Sequence, residues 1–167
     1  MRPYLVAAAL PLAALALEQA HAESRAVPKE GAPYLSIEVP KGWSASYDDY
    51  GNLTVVSSDR SAIIFLSMIA GEETSTDYDA IAATILRNAQ ATPYSRSENG
   101  AAAGVSGKVY ISTLPTKGGL AMNLRETLIR IDDTHIGSVA VVTQSGISAD
   151  QTALLKAAVA QIHVAEK

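Results

Sequence analysis

The residues best suited to metal chemistry are Asp132, Asp133 and His135, which lie close together in the sequence. Carboxylates and imidazoles bind metals, but a site needs three or four converging ligands with supporting contacts. Asp-Asp-Thr is also typical of a turn between two strands, because aspartate favours turns. We interpret these residues as a hairpin turn and keep a metal-assisted hydrolase as an alternative.

Other catalytic signatures are missing from the sequence. The chain has no cysteine, which excludes thiolate metal sites and cysteine nucleophiles. It also has no Gly-x-Ser-x-Gly elbow, since Gly104-Val105-Ser106-Gly107 has a different spacing. Lys117-Gly118-Gly119 lacks the pattern of a phosphate-binding loop and precedes a predicted strand rather than a helix. We therefore predict a protein that is not an enzyme and has no cofactor.

Acidic, aromatic and polar residues in predicted loops are the candidates for binding a partner. Asp48-Asp49-Tyr50-Gly51-Asn52 predicts a turn, and it lacks the alternating carboxylates of a helix-loop-helix calcium site. Acidic residues before the first predicted helix suit the positive end of its dipole or form an acidic patch. The candidates are Asp48, Asp49, Tyr50, Glu72, Glu73, Thr116 and Lys117.

The composition indicates one small globular domain. The 167 residues are 48% hydrophobic and 18% charged, as is usual for a folded protein. The formal net charge is −4, which argues against a nucleic-acid partner.

The first 22 residues resemble a secretory signal peptide. Arg2 provides the positive end, an apolar run extends from Tyr4 to Leu17, and Ala20-His21-Ala22 provides a cleavage site. We expect a periplasmic or secreted protein, cleaved near Ala22, with no membrane span thereafter. Residues 23–33 are polar and contain Pro and Gly, which predicts a flexible lead-in. We predict that residues 34–167 form a single α/β domain.

Hydrophobic periodicity predicts the elements of that domain. Leu35–Val39 alternates apolar and polar residues, whereas Ala62–Ile69 is apolar on both faces of the predicted strand. A helical stripe follows, with Thr76 as the expected N-cap; it consists of Tyr78, Ile81, Ala82, Ile85, Leu86 and Ala89.

The second half of the chain predicts a turn-rich stretch at residues 99–104, three antiparallel strands and a final helix. The strands are Val105–Thr113, Ala121–Asp132 and His135–Gln144, joined by short links. Ser148 and Gln151 form a capping box before the stripe Leu154, Leu155, Ala158, Val159 and Ile162. The order of elements predicts an α+β fold, an α/β/α sandwich with a central, mainly antiparallel sheet and two amphipathic helices.

The segment Ile37-Glu38-Val39-Pro40-Lys41-Gly42-Trp43 and the order of elements resemble the PsbP-like superfamily, which includes the Mog-type proteins. The resemblance covers residues 34–165 in layout, but in motif only the Val-Pro-x-Gly-Trp corner. It implies a non-enzymatic binding or assembly role, in which the domain docks onto a protein partner. No metal-binding or partner-binding motif of the superfamily matches this sequence.

These observations favour an exported, non-enzymatic protein-binding module. One form would be a periplasmic immunity protein that blocks a toxin, and another an accessory protein of an envelope complex. The alternatives are a metal-assisted hydrolase at Asp132, Asp133 and His135, and an envelope protein that binds a small ligand or lipid in an open apolar cavity.

Overall fold

A computed structural model describes residues 23–70, 77–116, 119 and 121–165. In chain order the strands and helices are β1 (Glu23–Val27), β2 (Leu35–Val39), β3 (Ser44–Tyr47), β4 (Leu53–Val56), β5 (Ala62–Ala70), α1 (Tyr78–Asn88), β6 (Arg96–Ala102), β7 (Val105–Leu114), β8 (Met122–Arg130), β9 (His135–Gln144), α2 (Ala149–Ala160) and β10 (Ile162–Val164). No helix within these residues is long and apolar enough to cross a membrane.

The strands form two antiparallel sheets. The larger has seven strands in the order β3-β4-β5-β9-β8-β7-β6, and the smaller has three in the order β1-β2-β10. Helix α2 and the small sheet pack on one face of the large sheet, and α1 packs on the other. The predicted α+β fold, with a mainly antiparallel sheet and two helices, is confirmed.

Strand β2 illustrates how the local sequence leads to packing. Leu35, Ile37 and Val39 are buried while the residues between them are partly exposed, as alternation predicts. The strand ends at a turn in which the Trp43 amide donates to the Pro40 carbonyl at 3.1 Å. Gly42 has φ 83° in this turn, a conformation that glycine adopts without strain.

The two faces of β5 are buried unequally. Ile64 and Leu66 are buried in the core between the large sheet, α2 and β2. On the opposite face Ile63 and Ile69 pack near α1, but Phe65 remains 39% exposed. Among the residues that the structure describes, the face around Phe65 is only partly covered, because the main contacts of α1 are with β7 and β8, which lie beyond β9 in the sheet.

The helix ends differ in detail from the sequence prediction. The N-cap of α1 is Asp77, whose side chain accepts hydrogen bonds from the amides of Asp79 and Ala80; Thr76 lies outside the described residues. Ser148 caps α2 by accepting a bond from the Gln151 amide at 3.2 Å. Ile162 is not part of the α2 stripe, because the chain leaves the helix at Gln161 and pairs β10 with β2.

Two segments predicted without strands form edge strands. Glu23–Val27, placed in the flexible lead-in, is β1, because Val27 is buried and the segment pairs with β2. Arg96–Ala102 forms β6 and pairs with β7. The turn is confined to Ala103 and Gly104, with φ values of 52° and 76°, as in a two-residue hairpin turn. Most residues of both strands are polar, so neither has an apolar alternation that the sequence could reveal.

Candidate functional site

The turn between β3 and β4 is built around the Asp48 carboxylate. Its Oδ1 accepts hydrogen bonds from the amides of Tyr50 and Asn52, each at 2.9 Å, and its Oδ2 accepts one from Asn52 Nδ2. The Asn52 side-chain bond is the main reason that the pKa of Asp48 lies below its ordinary value. Asp48 is therefore engaged within the turn, which presents Asp49 and Tyr50 to solvent.

A second segment, residues 28–30, lies against this turn. A Cβ on Gly51 would lie 3.2 Å from the Lys29 amide nitrogen, so the absence of a side chain permits the close approach. The Tyr47 hydroxyl donates to the Ala26 carbonyl at 2.8 Å. The Lys29 ammonium lies 5.8 Å from the centre of the Tyr47 ring, a favourable cation–π distance. These contacts hold the two segments together.

We call the concave surface between the two segments the turn pocket. It has a volume of about 430 Å³, within the range of ligand sites. Tyr50 is 87% exposed beside it, and the pocket carries charges of both signs on Lys29, Glu30 and Asp49. Its lining consists of Pro28, Lys29, Glu30, Tyr47, Asp48, Asp49, Tyr50 and Gly51.

Sequence reasoning missed Lys29 and Glu30 as members of this site. Residues 28–33 belong to no helix or strand, and their polar sequence has no periodicity that would place them against a turn about twenty residues later. Residues 28–30 directly follow β1. Because β1 pairs with β2 and accepts a bond from Tyr47 of β3, these residues lie next to the β3–β4 turn.

The remaining partner-binding candidates do not join the turn pocket. Thr116 lies in the β7–β8 connection, where its carbonyl accepts a bond from the Gly119 amide at 3.0 Å. The strand registers place this connection at the opposite end of the large sheet from Asp48. Glu72, Glu73 and Lys117 lie outside the described residues.

Asp132, Asp133 and His135 lie at the β8–β9 turn. Asp132 Oδ1 accepts bonds from the Thr134 amide at 2.9 Å and the Thr134 hydroxyl, and lies 2.8 Å from His135 Nδ1. The His135 ring stacks on Tyr34 with centroids 4.2 Å apart. In the described part of the chain, no three histidine, aspartate or glutamate side chains are grouped as a metal site requires. The local bonds are those of a turn.

Comparison with known proteins identifies the fold. No protein-family model matches the sequence, and no curated protein matches it. Among solved structures, Synechocystis CyanoP, a cyanobacterial PsbP, aligns with a TM-score of 0.57 and 12% identity over 93% of this chain and 99% of that one. The chain has the PsbP-like fold. Mycobacterium tuberculosis LpqN aligns with a TM-score of 0.56 and 13% identity over 87% and 92% of the two chains.

A third similar solved structure comes from Bacteroides thetaiotaomicron. It aligns with a TM-score of 0.58 and 14% identity over 88% of this chain. The chain spans about half of that protein's length, 50%. Because the sequence identities are only 12–14%, these alignments show that the proteins share a fold.

The large sheet of this PsbP-like domain also buries a carboxyl group that sequence reasoning missed. Glu126 is 1% exposed on the α1 side of β8 and accepts a hydrogen bond from the Ser138 hydroxyl at 2.6 Å. Burial raises the pKa of Glu126 to about 7, although the Ser138 bond acts in the opposite direction. The alternation in Leu124-Arg125-Glu126-Thr127-Leu128 is the one available signal, since it places Glu126 on the same face as two leucines.

Proposed function

We propose that this protein is an exported, non-enzymatic protein-binding module that docks a protein partner through the turn pocket. The observation that carries the proposal is the exposure of Tyr50, 87%, on a turn held by three bonds to the Asp48 carboxylate. Tyrosine is enriched among the residues that dominate binding at protein interfaces. A turn that is already ordered loses little conformational entropy on binding.

The charges around Tyr50 support a polar, specific interface. Asp49 and Glu30 offer carboxylates and Lys29 an ammonium group, so a partner with complementary charges would be oriented as it docks. The pairing of an aromatic anchor with surrounding charged groups is usual for a protein interface and its rim.

The location that we propose is the periplasm or the extracellular space. The signal-like segment 1–22 supports export. The fold neighbour LpqN is involved in cell envelope biogenesis, which is compatible with an envelope role. Within this class we propose an immunity protein that blocks a toxin, or an accessory subunit of an envelope complex.

The test is affinity capture of the protein exported by its own host, with mass spectrometry of the bound proteins. We expect a stoichiometric partner whose affinity falls at least roughly tenfold in Tyr50→Ala, because an anchor residue contributes 2 kcal/mol or more. Asp49→Ala is expected to weaken binding by a smaller factor, since charges at the rim of an interface contribute little.

The matched control is Leu154→Ala, which removes another exposed large apolar side chain, 47% exposed, from α2. It should retain the partner, and all three variants should keep the parental melting temperature. A partner that is retained by Tyr50→Ala and lost by Leu154→Ala would contradict the turn pocket as the docking site. Recovery of no stoichiometric partner would contradict the protein-binding function itself.

A further inference from the structure

A second concave surface lies between α2 and the β6–β7 hairpin. Its floor is formed by β8 and β9, one wall by Leu155 and Val159 of α2, and the opposite wall by Ala101 and Ala102 of β6. We call this surface the α2 trough. Its volume is about 320 Å³, at the lower end of the range for small-molecule sites.

The trough exists because the β6–β7 hairpin curls toward α2. Ala102 packs in the same core cluster as Val139 and Leu155, although β7 and β8 lie between β6 and β9 in the sheet. Glycine permits this curvature, since a Cβ at Gly100 would collide with Val109 and one at Gly107 with the Leu128 carbonyl. The hairpin therefore forms a wall of the trough while remaining the outer pair of strands of the large sheet.

The lining combines an apolar interior with positive charge. Val141 and Val159 contribute partly exposed apolar surface, whereas Val139 is almost fully buried. Among the described residues, the charged residues that line the trough are Arg125 and Lys156, and both are cationic. This is unusual in a chain whose formal net charge is −4.

The groups around Arg125 leave the trough positive overall. Glu98 accepts a hydrogen bond from Arg125 Nη1 at 3.2 Å and forms an ion pair with Arg96 at 3.6 Å. Glu98 thus offsets part of the charge on Arg125 and is shared with Arg96, which lies outside the trough, and Lys156 adds a further positive charge. An anionic group at this position would meet complementary charge without having to displace a buried ion pair.

We propose that the α2 trough binds a single-chain acyl carboxylate, a free fatty acid, with its hydrocarbon chain against the valines and its carboxylate near Arg125 and Lys156. The apolar lining favours an alkyl chain because it removes that chain from water. The two cations favour a carboxylate at one end, and arginine can bind it through two parallel hydrogen bonds. This site is separate from the turn pocket and independent of the protein partner.

The binding test uses dodecanoate and displacement of a fluorescent dansyl-labelled fatty acid from the purified protein. We expect dodecanoate to displace the probe, and dodecanol, which has the same chain without the charge, to do so at least roughly tenfold less well. Dodecyl phosphate and anionic phospholipid vesicles test other sources of an acyl chain with a negative charge. Displacement by these alone would overturn the assignment to a free fatty acid.

Variants locate the binding site. Arg125→Gln and Lys156→Gln should each weaken dodecanoate binding roughly threefold, as expected for partly exposed charges, and leave dodecanol unaffected. Lys41→Gln is the matched control, because it removes an exposed cation that does not line the trough and should change nothing. Ala101→Trp should fill the trough and abolish binding, with folding checked by the melting temperature.

Three results would overturn the proposal. These are failure of dodecanoate to displace the probe, equal displacement by dodecanol, and undiminished binding in the Arg125→Gln/Lys156→Gln double variant. Tyr50→Ala should bind dodecanoate normally. A failure of fatty-acid binding in the α2 trough can therefore be distinguished from a failure of partner docking at the turn pocket.

Discussion

Glu126 is a carboxyl group placed where the surrounding residues are mainly apolar. It lies between Tyr110 of β7 and Ala140 of β9 in the sheet, on the face that α1 covers. The Tyr110 hydroxyl donates to Asp79 of α1 at 2.8 Å and so is engaged elsewhere. Within the described residues, the side-chain hydrogen bond to Glu126 comes from the Ser138 hydroxyl. One neutral donor does not offset the cost of burying a charged carboxylate, so the protonated form of Glu126 is favoured.

This burial makes stability depend on pH. A carboxyl whose pKa is raised on folding binds its proton more tightly in the folded state. The contribution of Glu126 to the free energy of unfolding therefore falls as pH rises from the ordinary glutamate pKa of 4.5 to the folded value of about 7, and that contribution is constant outside the window. The shift corresponds to a loss of about 3 kcal/mol across the window.

Glu126→Gln is expected to remove this dependence, because the neutral amide has no proton to lose. The variant should be more stable than the parent above pH 7 by up to about 3 kcal/mol, and similar to it near pH 4. Urea unfolding at several pH values measures the difference. Glu30→Gln, at an exposed position, is the control and should follow the parent. Parallel pH profiles for Glu126→Gln and the parent would show that Glu126 is not buried as a neutral group.

At the scale of elements, the β6–β7 hairpin depends on glycine for two different reasons. Gly104 is in open space but has φ 76°, so an added side chain meets only backbone strain. Gly107 pairs with Ile129 on β8, where a Cβ would collide with the Leu128 carbonyl. The first position determines the turn, and the second determines how closely β7 approaches β8.

Gly107→Ala should destabilise the protein more than Gly104→Ala. We expect the Gly104 variant to cost about 1 kcal/mol from the strained conformation, and the Gly107 variant about 2–3 kcal/mol, because the β7 and β8 backbones must separate. Thermal and urea unfolding measure both. Equal losses would mean that β7 and β8 accommodate the methyl group without moving apart.

The helices are held by elements distant in the sequence. Asp79 of α1 bonds Lys108 and Tyr110 of β7 at 2.7 Å and 2.8 Å, and Leu86 packs on Leu124 and Val142. Periodicity predicts that α1 has an apolar face, and the strand order determines which residues that face meets.

At the scale of the whole molecule, the first strand closes one edge of the core. Val27 is 1% exposed in the cluster that joins the two sheets, and the Tyr47 hydroxyl donates to Ala26. Strand β1 therefore stabilises both the small sheet and the segment that lines the turn pocket.

A chain that begins at Pro28 should be less stable than one that begins at Glu23 by at least about 2 kcal/mol, since the buried valine and the β1–β2 hydrogen bonds are lost. The difference in urea midpoint between the two chains measures this. Partner capture by the shorter chain should also weaken, because residues 28–30 lose their attachment. Identical midpoints would mean that β1 is detached from the domain in solution.

The sequence by itself determined the elements whose side chains alternate between an apolar core and water. Leu35–Val39, the α1 stripe and the Ser148 cap follow from local pattern and hydrogen-bonding chemistry. The Asp48 turn was also predictable, because aspartate bonds its own neighbouring amides.

Strand pairing and contacts between residues far apart in the chain were decided only by the tertiary structure. It added β1 and β10 to β2, because β1 has no apolar alternation, β10 with its three residues is too short to show one, and both form through long-range backbone pairing. It brought Lys29 beside Gly51, separated Thr116 from Asp48, and placed Arg125 and Lys156 around one trough. Local sequence specifies which face of an element is apolar, whereas long-range pairing specifies which loops and charges become neighbours.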